Sequence, residues 1–253
     1  MIYITGDTHG DFRRFSTEIF PEQKEMTKDD FVIICGDFGG IWCQENDKKG
    51  LKNESDWLDW LDKKPFTTLF VCGNHENFDR LYSFPVEERY GGKVHVLRPS
   101  ILHLMRGETF QIDGKKIFAF GGASSHDISD GILRGNGWKE QAKELQKKGK
   151  YLFRVEDVSW WKAELPSNEE MENGILNLEK AGYAVDFVIT HSPPASIIAL
   201  LGMGTYEQDN LTRYLENIRM NLQYQNWFFG HMHHNIQLNE KDILLYEQII
   251  RIA

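Results

Sequence analysis

Cysteine is scarce and odd in number: Cys35, Cys43 and Cys72 are the three in 253 residues, and none stands at C-x-x-C spacing to another. That pattern excludes a disulfide framework and suits a reducing compartment. Cys35 and Cys72 each close an apolar run, so burial as small apolar side chains is expected. Positive charge is also in deficit, with 29 basic against 38 acidic residues and a formal charge of −9. A chain that binds nucleic-acid backbones needs a basic face, so a nucleic-acid partner is not expected. Phosphate substrates stay open, because bound cations reverse the local sign. Apolar runs are short; none approaches the roughly 18 residues of a membrane span, and no membrane association is expected. The start, Met1-Ile2-Tyr3-Ile4-Thr5, has no basic n-region or apolar h-region, which predicts a cytoplasmic protein. Repeats, low-complexity tracts and linkers are missing too, so residues 1–253 are expected to form one domain.

What the chain does contain is one pattern used five times: a short apolar run that ends abruptly in glycine or threonine and then in metal-ligand residue types. Ile2-Tyr3-Ile4-Thr5 leads into Gly6-Asp7-Thr8-His9-Gly10, and Phe31-Val32-Ile33-Ile34-Cys35 into Gly36-Asp37. Thr68-Leu69-Phe70-Val71-Cys72 leads into Gly73-Asn74-His75-Glu76, Phe187-Val188-Ile189-Thr190 into His191-Ser192, and Trp227-Phe228-Phe229 into Gly230-His231-Met232-His233. Runs without polar alternation fit strands covered on both faces, which predicts an α/β fold. Sites in such folds lie outside the carboxyl ends of the strands, so the five exits predict one convergent site.

Helical periods separate the runs. Phe12, Phe15 and Ile19 are spaced as a helix, as are Trp57, Leu58, Trp60 and Leu61 within 54–63, and Leu211, Tyr214, Leu215, Ile218 and Leu222. Trp57 and Trp60 are read as core. Ser167-x-x-Glu170 resembles a capping box, with Gly182 as the stop. Residues 124–166 form a loop-rich excursion with a solvated helix over 138–148. Further strands are expected at Val94-His95-Val96-Leu97, at Phe110-Gln111-Ile112 and Lys116-Ile117-Phe118-Ala119-Phe120 as a hairpin about Asp113-Gly114, and as a final edge pair within 243–252. Gly202-Met203-Gly204 reads as a helix end and not as a dinucleotide fingerprint.

Asp7 and His9, like His231 and His233, stand two apart, a spacing that turns both side chains of an extended segment to one side. Asp37 has two carboxylate oxygens and can bridge two cations. Mixed nitrogen and oxygen donors suit manganese, iron or zinc better than magnesium. Two cations about 3.5–4 Å apart polarise a phosphoryl group and acidify a bridging water, and the leaving alkoxide then needs a proton, which an unligated His75 can supply.

The ordered set Gly-Asp-x-His-Gly, Gly-Asp, Gly-Asn-His-Glu, His and Gly-His-x-His, spread over residues 6–233, resembles the calcineurin-like metallophosphoesterase superfamily. The resemblance implies two packed mixed β-sheets flanked by helices. It implies two divalent ions, manganese foremost, one taking Asp7, His9 and His233 and the other Asn74, His191 and His231, with Asp37 bridging. It implies His75 as proton donor or phosphate contact, with Glu76 orienting it where packing allows. The expected reaction is hydrolysis of a phosphate mono- or diester by a metal-bridging hydroxide, on a phosphorylated small molecule or a nucleotide.

One position departs from the pattern. Phosphoprotein phosphatases of the superfamily read Gly-Asp-x-x-x-Arg-Gly at the second motif, and here Ile41 stands where that arginine grips phosphate. The change favours a phosphodiesterase-like branch over a phosphoprotein phosphatase. Arg13, Arg80 and Arg134 are the candidate replacements. A non-catalytic metal-binding scaffold is the rival reading, although no ligand is missing. His234, His95 and His103 are expected outside the site, and His126-Asp127 is expected to be a tight turn after a strand.

Overall fold

A computed structural model describes residues 1–202 and 208–253. Two mixed sheets pack face to face with helices outside them. In the seven-stranded sheet the order is Ile250–Arg251, Ile2–Thr5, Phe31–Ile34, Thr67–Phe70, Ile101–Leu104, Gly92–Arg98 and Val86–Arg89. Strands Ile2–Thr5 through Ile101–Leu104 run parallel, in a register that aligns Ile4 with Ile33 and Ile33 with Leu69. The six-stranded sheet runs Ile236–Gln237, Asp242–Leu244, Asn226–Phe229, Phe187–Thr190, Lys115–Phe120 and Glu108–Ile112. Its four inner strands are parallel, aligning Ala119, Ile189 and Phe228.

The two-residue period of each strand explains why the apolar runs do not alternate. Ile2, Ile4, Ile33 and Leu69 meet Ile117, Ala119, Ile189 and Phe228 in the core between the sheets. The residues between them point the other way. Tyr3, Val32, Ile34 and Phe70 pack with Phe12, Phe15, Leu58 and Leu61 outside the first sheet. Phe118, Val188, Trp227 and Phe229 pack with Leu178, Leu211, Leu215 and Ile218 outside the second. Burying both faces of both sheets removes the polar positions that alternation would show.

Helices form where their signals stand. Lys48–Asp62 carries Leu58 and Leu61 inward, with Trp57 and Trp60 partly buried at its flank. Asn168–Lys180 starts on the Ser167/Glu170 capping box, and Gly182 follows it at φ +70°. Asn210–Asn221 starts on Asp209, with Leu222 just past its end. Gly202 ends the helix Ala195–Leu201 by donating to the Ile198 carbonyl (2.8 Å), while Met203 and Gly204 lie outside the described residues.

Two expectations need correction. Phe12, Phe15 and Ile19 do not share a helix: a single 3₁₀ turn, Arg13–Phe15, buries both phenylalanines, Ser16 turns to extended backbone, and Ile19 stays 63% exposed. Segment 243–252 does not form an edge pair with itself. Asp242–Leu244 joins the second sheet and Ile250–Arg251 crosses to the first, antiparallel to Ile2–Thr5. The hairpin at Asp113-Gly114 forms as expected, both residues at positive φ. The excursion 124–166 is more ordered than expected. Its strands Gly131–Leu133 and Phe153–Val155 pair in parallel around the helix Trp138–Lys147, on a small core of Leu133, Ala142 and Val155.

Candidate metal centre

The carboxyl ends of Ile2–Thr5, Phe31–Ile34 and Thr67–Phe70 in one sheet, and of Phe187–Thr190 and Asn226–Phe229 in the other, open onto one cleft. The loops leaving them are fastened to each other. Thr8 and His9 donate backbone N–H groups to the Asp37 carbonyl (3.1 and 2.8 Å), and Gly10 donates to that of Phe38 (2.9 Å). Arg14 reaches the carbonyls of Asp7 and Tyr246 (2.6 Å each) and fixes the Gly6–Asp7 turn from behind. This fastening holds backbones that ordinary residues avoid: His9, Asp37, His231 and His233 all sit at positive φ, 47°, 43°, 70° and 51°. Such conformations cost about 1–3 kcal/mol each and persist where surroundings over-determine them. Gly73 and Gly230 are dictated by close approach, since a Cβ on the first would overlap the Asp37 carboxylate and one on the second that of Asp7.

Asp7 is fully buried, and its carboxylate accepts the His231 N–H at 3.0 Å. Its Oδ2 lies 3.2 Å from His233 Nε2 and 3.9 Å from His9 Nε2, and those two nitrogens are 3.1 Å apart. One ligand atom from each of Asp7, His9, Asp37 and His233 falls within 4.8 Å of all the others. Two imidazole nitrogens and two carboxylates this close fit a divalent cation, which would replace protons as the positive partner.

Asp37 faces both ways. Its Oδ1 accepts the backbone N–H groups of Asn74 and His75 (2.8 Å each) and lies 3.3 Å from His191 Nε2, while Oδ2 lies 3.8 Å from His9 Nδ1. His191 Nδ1 donates to the Cys35 carbonyl at 2.8 Å, which leaves Nε2 to face the cleft as a candidate ligand. That nitrogen is 3.3 Å from Asn74 Oδ1, and Asn74 is held from behind by Ser125 Oγ at 3.4 Å. The His231 ring lies 4.8 Å from that of His191. Burial holds the His231 pKa well below the usual imidazole range, so the neutral ring faces the cleft. Burial also disfavours charge on His191, but Asp37 and Asp7 outweigh it and raise its pKa to about 9, so without a cation a proton occupies that position. All seven expected ligands thus meet in one cleft.

His75 lies beside them, its ring 4.9 Å from that of His9 and stacked on Trp42 at 5.4 Å. Burial, reinforced by Arg154 and opposed by Asp37, lowers its pKa to about 4. Glu76 does not touch it. The Glu76 carboxylate accepts N–H groups of Phe38 (2.8 Å), Gly39 (3.1 Å) and Gly73 (3.4 Å), so it braces the Asp37 loop. Burial, with Asp37 nearby, raises the Glu76 pKa to about 8.

The three arginines proposed to replace the phosphate grip are engaged elsewhere: Arg13 with Asp11, Arg80 with Glu54 and Arg134 with Glu156. A cation that does reach the cleft is Arg154, for which the sequence alone raised no expectation. It is 7% exposed, anchored by Asp127 Oδ1 (2.6 Å) and the Ser159 carbonyl (3.1 Å), and its Nη2 stands 2.9 Å from His75 Nε2. A guanidinium only donates, so Nε2 accepts and the His75 proton rests on Nδ1. The available signal was Phe153-Arg154-Val155, a cation inside an apolar triplet. His126 and Asp127 are likewise more than a turn: the His126 ring packs 4.3 Å from that of His231, and Asp127 holds Arg154. Ile41 is buried in the core. His95 and His103 pair with each other at 3.0 Å away from the cleft, and His234 is exposed.

The family model for the calcineurin-like phosphoesterases matches residues 1–235, the span that contains every one of these ligands. The chain belongs to the calcineurin-like phosphoesterase family. Membership makes phosphoester hydrolysis its reaction class and accounts for a donor set suited to divalent cations. Among curated proteins, it is similar to lariat debranching enzyme A of Xenopus laevis, 30% identical over 140 residues that take in 51% of this chain and 25% of the relative. It is also similar to the lariat debranching enzyme of Danio rerio, 28% identical over 140 residues, 51% of this chain and 23% of the relative. The chain therefore spans about a quarter of the length of these relatives. Among the described residues, no helix of this phosphoesterase is long and apolar enough to cross a membrane.

Proposed function

We propose that residues 1–253 act as one catalytic domain that hydrolyses phosphodiesters of small molecules or nucleotides, using two divalent cations, manganese foremost, in a cytoplasmic setting that suits three unpaired cysteines. The observation that carries this is the Asp37 carboxylate, with one oxygen toward the His9 group and the other toward His191 and Asn74. Cations bound there would polarise the phosphoryl oxygens and acidify water for attack.

The chain's own residues supply the rest. Asp7 and Asp37 keep negative charge beneath the ions, and His9, His191, His231 and His233 offer neutral nitrogens. Arg154 is the phosphate-facing cation in place of the arginine that Ile41 replaces. A phosphoryl oxygen entering between Arg154 and His75 would take over the Nη2 hydrogen and leave His75 Nε2 open; with the guanidinium turned to the phosphate and the ester's negative charge beside it, Nε2 would take up a proton from water and pass it to the departing oxygen. The missing bidentate grip supports diesters over monoesters, since a diester has one negative charge and a monoester two. Likeness to enzymes named for lariat debranching supports the same branch.

The test is turnover of bis-p-nitrophenyl phosphate against p-nitrophenyl phosphate on manganese-loaded, metal-analysed protein. The diester should be hydrolysed in preference. No turnover with manganese, iron or zinc would leave the non-catalytic scaffold, and a monoester preference would return the phosphatase reading. His75→Ala should slow alkyl esters more than aryl esters. Equal losses would remove His75 from the acid role.

A further inference from the structure

Two cavities border the candidate metal centre and share no lining residue. One, of about 580 Å³, is lined by Ser124, His126, Ser192, Asp209, Thr212 and His231. The other, of about 270 Å³, begins at His9 and His75 and runs between Phe12, Trp42 and Trp57. The mechanism above uses neither.

The smaller cavity is built for a flat apolar guest. The rings of Phe12, Trp42 and Trp57 line it, with Gly10, Gly39 and Gly40 leaving room beside them and Asn53 and Glu54 as its carboxamide and carboxylate. The rings are fixed by their neighbours: Trp42 lies on His75 with Trp161 edge-on at 5.7 Å, and Trp57 stands edge-on to Phe12 at 6.1 Å and to Trp60 at 5.3 Å. Glu54 also borders the space but is already satisfied, by the N–H groups of Trp42 (2.6 Å) and Cys43 (2.5 Å) and by Arg80 (2.6 Å). No lysine or arginine lines the cavity, so it is not a second phosphate site. Its volume lies below the roughly 300–1,000 Å³ of pockets that hold drug-sized ligands, which suits one ring system and not a whole substrate.

We infer that this cavity is the leaving-group subsite and that it receives a planar aromatic substituent of the phosphoester, a nucleobase or an aryl ring, between Trp42 and Trp57. The side is set by His75, the residue placed to meet the departing oxygen, which lines this cavity and not the other. The inference rests on the hydrolase reading for which ester group enters, and its test does not require turnover.

Phenylphosphonate and methylphosphonate, both non-hydrolysable, are titrated by calorimetry into manganese-loaded protein. Stacking between aromatic walls should make phenylphosphonate bind about tenfold more tightly. Trp57→Ala should bring the two affinities within about twofold of each other while leaving methylphosphonate unchanged, and Trp57→Phe should retain most of the preference. Trp57→Leu, which keeps apolar bulk without a ring, serves should the alanine variant not fold. Equal affinities in the unaltered protein, a phenyl preference that survives Trp57→Ala and Trp57→Leu, or no binding of either phosphonate would each overturn the subsite. Preferential phenyl binding without hydrolysis of any diester would keep the subsite and sink the hydrolase reading. Diester hydrolysis without a phenyl preference would do the reverse.

Discussion

The two halves of the proposed metal centre are made of similar residues but held in different ways. Asp7, His9 and His233 form an open half, in which the histidine side chains are 30% and 51% exposed. Asn74, His191 and His231 form a closed half, all buried, with His191 locked onto the Cys35 carbonyl and the His231 ring between His126 and His191. Asp37 joins them. A donor in the closed half doubles as core, so its geometry is set by folding. The two histidines of the open half are set by left-handed loop backbones and a few polar contacts above the buried Asp7, whereas His231, equally left-handed, is also held by burial. Coupling and exchange should therefore differ between the halves: the closed one is preorganised, and the open one surrenders its ion first.

The most damaging change should be at the joint. Asp37→Asn should remove both ions by metal analysis and lower diester turnover by more than about a hundredfold, the upper range for residues that only support a ligand. Retention of one full equivalent of metal would mean that the halves do not depend on their bridge. Next in size is the contrast between His191→Ala and His233→Ala in metal-free protein. Removing His191 empties a buried position and strands the Cys35 carbonyl, at about 2–4 kcal/mol. Removing the half-exposed His233 empties no core and takes only one partner from buried Asp7, so it should cost less, about 1 kcal/mol. Urea midpoints that move equally for both would erase the distinction. A smaller effect follows in chelation: His233→Ala should keep one ion through a brief EDTA exposure that strips the second ion from the unaltered protein. If both ions leave together from the unaltered protein, the open half is not the weaker one.

The same contrast explains what could be read from the sequence. Every expected ligand follows a parallel strand buried on both faces, and such strands announce themselves as unbroken apolar runs, so the convergence of these seven positions on one cleft is legible in the sequence. Nothing in the runs says that three strands belong to one sheet and two to the other, because burial on both faces looks alike in either. Glu76 was expected to orient His75 only where packing allows, and packing does not allow it: its carboxylate turns back to the Phe38 and Gly39 amides. Arg154 was missed because it reaches the cleft from the 124–166 excursion, where no period marks which side chain points inward. Ile19 failed for a related reason: helical spacing at two phenylalanines was satisfied by one 3₁₀ turn, and the chain left before the third position.

The finest test of the open half is the residue that steadies it without touching a carboxylate. The Tyr246 ring lies on that of His233, centroids 4.7 Å apart and nearly parallel, while its backbone carbonyl receives Arg14. Because the backbone contacts survive substitution, Tyr246→Ala removes only the ring that restrains the most exposed ligand. Offset aromatic contacts are worth about 0.5–1.5 kcal/mol, so the weaker metal affinity should fall by about three- to tenfold while the tighter one holds. Tyr246→Phe keeps the ring and should leave both affinities within about twofold of the original. Stepwise manganese titration of the two variants reads both constants. A loss confined to the tighter site would place His233 in the closed half and reverse the assignment of which ion is held by the core.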